Sequence, residues 1–243
     1  MTKTKLAGKL VLLTYLFLQA NVSYSQSRSQ FKISLKDADS IMALVKPEYR
    51  WMGTFGLTVS DEMKLKYHKP SGFSYEDSIE CFKDYPKLEK TFSCKSFQLH
   101  SNDEQFIAFL EFVPQYTKEL ETTINGLFPQ HVRELVDMQH RWQMRARIRA
   151  YYGDEIGETW VDSIKLHSTK EAREKFNADS VFSFSIRLRP SDYYKKDFKY
   201  VKALLIQKNG RGYACIYSFY TDKAKARFGK YWRKIENILR YED

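Results

Sequence analysis

YVKALLIQKNGRGYACIYSFY, residues 200–220, sets the architecture. Tyr200 to Gln207 and Gly212 to Tyr220 are rich in aliphatic and aromatic residues and flank Asn209-Gly210, the strongest short-range hairpin signal a chain can carry. Pairing across that turn puts Leu204, Ile206, Tyr213, Cys215 and Tyr217 on one face and Ala203, Leu205, Ala214 and Ile216 on the other. Both faces are largely apolar. The hairpin is therefore expected centrally in a sheet that is covered on both sides.

Upstream, Val181 to Arg189 reads as a strand whose Phe182, Phe184, Ile186 and Leu188 share the core face. Thr169 to Phe176 reads as a helix, with Asn177-Ala178-Asp179 as the turn between them. Downstream, Asp222 to Tyr241 reads as a last helix. Its Phe228, Tyr231, Trp232, Ile235, Ile238 and Leu239 make one apolar stripe for the sheet. Phe92 to His100 and Phe106 to Val113 predict a second hairpin around Ser101, Asn102 and Asp103, ended by Pro114. Met63 to His68 reads as a strand before the turn Pro70-Ser71-Gly72, and Asp37 to Val45 as a short helix stopped by Pro47.

Gln130 to Tyr152 supports two readings. Val132, Leu135, Val136, Met138, Trp142 and Ala146 share a helical face between Pro129 and Gly153, whereas Met144 to Tyr151 alternates as a half-buried strand would. Helix is the choice, because Ala, Met, Gln and Arg favour it and Ile148 is the one β-branched residue in the alternating run. Hairpins separated by helices, without regular βαβ alternation, indicate an α+β fold with a mainly antiparallel sheet. Tyr67-His68-Lys69-Pro70-Ser71-Gly72-Phe73, with the closing hairpin and amphipathic helix, resembles the PsbP-like α+β modules. There, a Pro-Gly-aromatic turn follows an early strand and a helix ends the chain. The resemblance covers about a third of the chain and implies a fold and no catalytic residue; the long helix around Gln130 to Tyr152 departs from it.

The N-terminus speaks of destination. Lys3, Lys5 and Lys9 precede an apolar run from Leu10 to Leu18, and Ser23-Tyr24-Ser25 offers small residues for cleavage. Residues 1–25 are thus expected to be a signal peptide, 26–30 a disordered polar tail, and 31–243 a single domain, periplasmic or secreted. A run that short falls below the roughly 20 residues a spanning helix needs, and no second one follows. No Cys stands behind it for lipid attachment. Without the three leader lysines the formal charge of +10 falls to +7, a modest surplus that fits a mixed-charge surface better than a nucleic-acid binder's concentrated patch.

Three cysteines, Cys81, Cys94 and Cys215, would meet an oxidising compartment. Cys81 and Cys94 are the near pair for a disulfide; three buried thiols are the alternative.

Chemistry leaves few local signatures. None of His68, His100, His131, His140 and His167 pair at the spacing of a helical metal site, and no Cys-x-x-Cys accompanies them, so no metal or cofactor is expected. Asp37-Ala38-Asp39 begins like a calcium loop but lacks its glycine, and a helix N-cap explains it. Gly-x-Ser-x-Gly and phosphate-loop motifs do not occur in the mature chain. Asp61-Glu62 and Asp154-Glu155 are the acidic pairs a glycan-cleaving site would need.

Two basic features remain as binding candidates. Tyr193-Tyr194-Lys195-Lys196 opens a run that interleaves rings and cations as ligand platforms do. Lys230 and Lys234 lie on the polar face of the last helix, with Lys223, Arg227 and Arg233. The expected function is a non-catalytic binding or interaction module for an anionic glycan, an envelope surface or a protein partner, with nucleic acid disfavoured by export. The alternative is a periplasmic or secreted hydrolase acting on glycan or peptide. A deep acid-lined pocket would mark the enzyme, and a shallow aromatic–basic surface the binder.

Overall fold

A computed structural model describes residues 40, 42–114, 140–153 and 164–243. The leader, the tail, Asp37-Ala38-Asp39, His131 and Asp154-Glu155 lie outside the described residues. The chain divides into two compact units, Met1–Glu62 and Met63–Asp243. In the first, the helix before Pro47 ends at Met42, short of the expected Val45. Pro47 does not merely stop a helix; it opens a 3-10 helix over Pro47–Met52, since proline's preset φ suits a first helical position. A helical turn at Phe55–Leu57 runs on into a wider one at Thr58–Glu62. A Cβ on Gly56 would stand 2.7 Å from both the Tyr49 carbonyl oxygen and Val45 Cγ1, so only glycine lets those buried residues close there.

The second unit is α+β. Its strands are β1 (Leu65–Tyr67), β2 (Phe73–Glu76), β3 (Phe97–Ser101), β4 (Phe106–Pro114), β5 (Lys165–Leu166), β6 (Ser180–Arg187), β7 (Tyr200–Lys208), β8 (Gly212–Tyr220) and β9 (Leu239–Tyr241). Its helices are α1 (Pro86–Phe92), α2 (His140–Tyr152), α3 (Thr169–Phe176), α4 (Asp222–Ala226) and α5 (Phe228–Ile235). Seven strands form one antiparallel sheet in the order β2-β3-β4-β8-β7-β6-β5, and β1 pairs with β9 in a separate ribbon. β8 is central, and every residue of it is buried. That is the consequence of two apolar faces.

The face assignment of the central hairpin differs from the sequence reading by one residue. Lys208 pairs with Gly212, so the loop is Asn209-Gly210-Arg211, with Gly210 at φ +74°. A three-residue loop with a left-handed glycine shifts the register relative to a two-residue turn, and a shift of one moves each side chain to the other face. Val201, Ala203, Leu205, Tyr213, Cys215, Tyr217 and Phe219 therefore share one face, and Tyr200, Lys202, Leu204, Ile206, Ala214, Ile216, Ser218 and Tyr220 the other.

The first face carries Ile107, Phe109, Phe182, Phe184 and Ile186 as well, and is packed by Leu88 and Phe92 of α1 and Met144, Ile148 and Tyr151 of α2. Throughout its described part, His140–Tyr152, the ambiguous segment is helix. The alternation at Met144 and Ile148 is one turn of spacing on the buried side. α1 was not expected; it occupies what read as the start of a strand at Phe92, because Pro86 starts a helix that Ser93 ends at φ +56°.

The second face is covered by α5, whose Tyr231 ring stacks on Phe106 at 5.3 Å, and by the β1–β9 ribbon, whose Tyr241 hydroxyl donates to the Gly212 carbonyl at 2.9 Å. The expected continuous helix over 222–241 is broken. α4 stops before Arg227, α5 ends at Ile235, and Leu239–Tyr241 is a strand against Leu65–Tyr67. Ile238 and Leu239 are buried nonetheless, so the apolar stripe marked burial correctly and conformation wrongly.

Candidate binding surface

The second sheet face is not covered everywhere. Along β6 its side chains run Val181 and Ser183, buried, then Ser185 and Arg187, exposed. Ser185 pairs with Lys202 and Arg187 with Tyr200, both half-buried, so an open strip lies between α3 and α5. Lys165 of the edge strand β5, opposite Ser183, extends it. Rings form its other border. Lys202 Nζ stands 4.3 Å from the Trp232 ring centre and 5.2 Å from that of Phe228, and these two rings stack at 5.5 Å and 21°. Tyr200 stacks on Tyr220 at 5.3 Å beneath Lys225, whose Nζ is 4.5 Å from the Tyr200 ring centre.

Charge is arranged around these rings. Burial holds the Lys202 ammonium below the ordinary lysine range, Glu236 works against that and Lys165 adds to it. Glu236 is also approached by Lys175 of α3 at 4.0 Å. Asp222 at the start of α4 is engaged by Lys199 and by the Tyr200 hydroxyl, which donates at 2.9 Å. The acids at this border are thus occupied by neighbouring donors, while Lys165 and Arg187 point a positive field outward.

The residues singled out in the sequence fall elsewhere. Tyr194 is 1% exposed, its ring among Phe82, Phe109, Phe198 and Phe219 on the first face, and its hydroxyl donates to Glu80 at 2.6 Å. It is a core residue. Lys195 and Lys196 are exposed at φ +47° and +66° in a tight loop closed by the Phe198 amide on the Tyr194 carbonyl. Tyr193 is half-buried, with Lys199 Nζ 5.5 Å from its ring centre. Lys230 is exposed on α5, and Lys234 Nζ donates to the Ser71 carbonyl at 2.7 Å, pinning the Pro70-Ser71-Gly72 turn. The loop and the helix stand on opposite sides of the sheet, so they make no common surface. Lys202, Arg187, Lys165 and the Trp232–Phe228 stack went unassigned. The signal was there: polar residues at every second place in otherwise apolar strands, readable once the register is right.

A second charged cluster is closed. Glu111 lies on the first face beside Cys215, where Arg147 Nη2 reaches both its oxygens at 2.8 and 2.9 Å, Lys95 Nζ comes to 3.1 Å and the Tyr217 hydroxyl donates at 3.0 Å. Arg147 also donates to the Thr91 carbonyl at 3.1 Å. Burial alone would raise the Glu111 carboxyl; the two cations outweigh it and hold it at about 2. With its acceptors filled, this cluster latches α2 and α1 to β4 rather than holding a ligand. Cys81 and Cys94 are bridged beside it, and Cys215 is a buried thiol pushed up to about 12 by burial. Asp61 and Glu62, one of the acidic pairs, are exposed. Among the described residues no group of three or more His, Cys, Asp or Glu is placed to hold a metal ion, and no helix is long and apolar enough to cross a membrane.

No protein-family model matches the chain, and no curated protein matches it.

Proposed function

We propose that the protein is exported and works by binding an anionic glycan along the aromatic–basic strip of its second sheet face. The observation that carries this reading is Lys202 held over the Trp232–Phe228 stack at 4.3 Å, beside the exposed Arg187 and Lys165. Aromatic faces take the apolar side of a sugar ring, and a guanidinium takes a carboxylate or sulfate through two parallel hydrogen bonds. The basic, apolar, small-residue order of the N-terminus supports export, which brings the strip to extracytoplasmic polymers rather than to nucleic acid.

Calorimetric titration with polygalacturonate and dextran sulfate oligomers, a neutral glucan and a single-stranded oligonucleotide tests the reading. Binding of the acidic glycans should weaken at least about tenfold in Arg187→Gln combined with Lys202→Gln, and fade as salt rises. Equal affinity in that variant, or preference for the oligonucleotide, refutes it. The hydrolase alternative has its own observation, one strand position away.

A further inference from the structure

Ser183, His167 and Glu171 meet at the closed end of the strip. The β5–β6 register sets Lys165 opposite Ser183, which brings His167, two residues on, to the same face diagonally across from it. His167 Nε2 is 2.9 Å from Ser183 Oγ. Ser168 then caps α3, accepting from the Glu171 amide at 3.2 Å, and the first helical turn folds Glu171 back over the imidazole. Glu171 Oε2 comes to 3.0 Å from His167 Nδ1, and Lys175 steadies the other carboxylate oxygen at 3.4 Å. Nδ1 makes no aligned hydrogen bond, so the carboxylate lies within reach but off the line of the ring N–H. Such contacts tighten when substrate binds. Against burial, which raises it, contacts with His167 and Lys175 hold the Glu171 carboxyl below its ordinary range.

We propose that these three side chains hydrolyse carboxylic esters, with Ser183 as nucleophile, His167 as general base and Glu171 as its positioning residue. His167, protonated at Nδ1, takes the Ser183 proton at Nε2 while Oγ bonds to the ester carbon and the carbonyl electron pair moves onto oxygen. Lys165, across from Ser183, and Lys202, across from Ser185, supply the positive field in which that oxyanion forms. Collapse of the oxyanion breaks the bond to the alcohol, which leaves with the Nε2 proton. Water, deprotonated by the same imidazole, then releases the carboxylic acid and restores Ser183. Because the strip adjoins Ser183, the substrate class is an O-acyl ester on an anionic glycan; this last assignment rests on the binding reading above, and the relay does not.

The relay is tested without the glycan. The wild-type protein should hydrolyse p-nitrophenyl acetate above the buffer rate and take one fluorophosphonate adduct, located by peptide mass at Ser183. Ser183→Ala and His167→Gln should each lower the rate about a hundredfold or more, with urea melts verifying the fold. Glu171→Gln should lower kcat with KM little changed, the mark of a group that orients the base. An unlabelled Ser183 in the native wild type, or an ester rate unchanged by Ser183→Ala, overturns the proposal. An O-acetylated polygalacturonate oligomer tests the substrate: its deacetylation by the wild type, lost in Ser183→Ala, supports the glycan ester. Cleavage of p-nitrophenyl acetate alone overturns that assignment and upholds the relay.

Discussion

Replacing Glu111 with glutamine should cost this fold about 3 to 5 kcal/mol at neutral pH, because it leaves Arg147 and Lys95 buried without their counter-charge. The size can be worked a second way. The carboxyl is held at about 2 against an ordinary 4.5, and each tenfold change in proton affinity is worth about 1.4 kcal/mol, so ionised Glu111 contributes about 3 kcal/mol. A folded-state value below the unfolded one means that this contribution is whole above pH 4.5 and drains as pH falls toward about 2. Urea melts from neutral pH down through that window should show the wild type losing stability. Glu111→Gln should be weak at neutral pH and should lack that share of the acid limb. The partners respond too. Burial already holds the Lys95 ammonium below its ordinary range, and without Glu111 it falls further, so the variant should regain stability as pH rises into the alkaline range. A lysine whose folded-state value is lowered binds fewer protons folded than unfolded, which gives that sign. Adding Lys95→Met should restore part of the loss, since a methionine of similar length buries at no charge cost. A Glu111→Gln protein within about 1 kcal/mol of wild type, with an unchanged acid limb, would refute the reasoning.

Trp232→Ala should cost about 1 to 2 kcal/mol in a urea melt, not the roughly 3 to 5 of a core tryptophan, because the ring is half-buried against Phe228 and Lys202; a loss above 4 would place it in the core after all. Reducing Cys81–Cys94 should remove about 3 kcal/mol, the closure entropy of a loop of that size, and free the flanking Glu80–Lys95 backbone pair. Non-reducing peptide maps should recover the two in one fragment, while Cys215, buried and pushed up to about 12, resists thiol reagents until the protein unfolds; a native protein labelled at Cys215 contradicts the packing. Edman sequencing of exported material should begin at Gln26, and an intact Met1 would argue against processing.

What residue order alone could determine here was local and periodic. The α+β class followed from hairpin signals separated by helical stripes. The helix at Thr169–Phe176 was legible to the residue because a Ser cap, good helix formers and a left-handed Asn177 act within a few positions. The core face of β6 was legible because Phe182, Phe184 and Ile186 alternate without interruption. Tertiary structure decided what depends on partners distant in the chain. Leu239–Tyr241 became a strand because Leu65–Tyr67 offered it a ladder, which outweighs helical preference in three terminal residues. One residue of loop at Asn209-Gly210-Arg211 exchanged which side chains of β8 share a face with Leu204 and Ile206. Tyr194 went inward because Glu80, more than a hundred positions earlier, accepts its hydroxyl. Ser183, His167 and Glu171 carry no motif in the sequence; a register across β5 and β6 and one turn of α3 bring Ser183 Oγ to 2.9 Å from one nitrogen of the His167 ring and Glu171 Oε2 to 3.0 Å from the other. Spacing along a chain specifies which side chains share a face, and only the pairing of strands and helices specifies which faces meet.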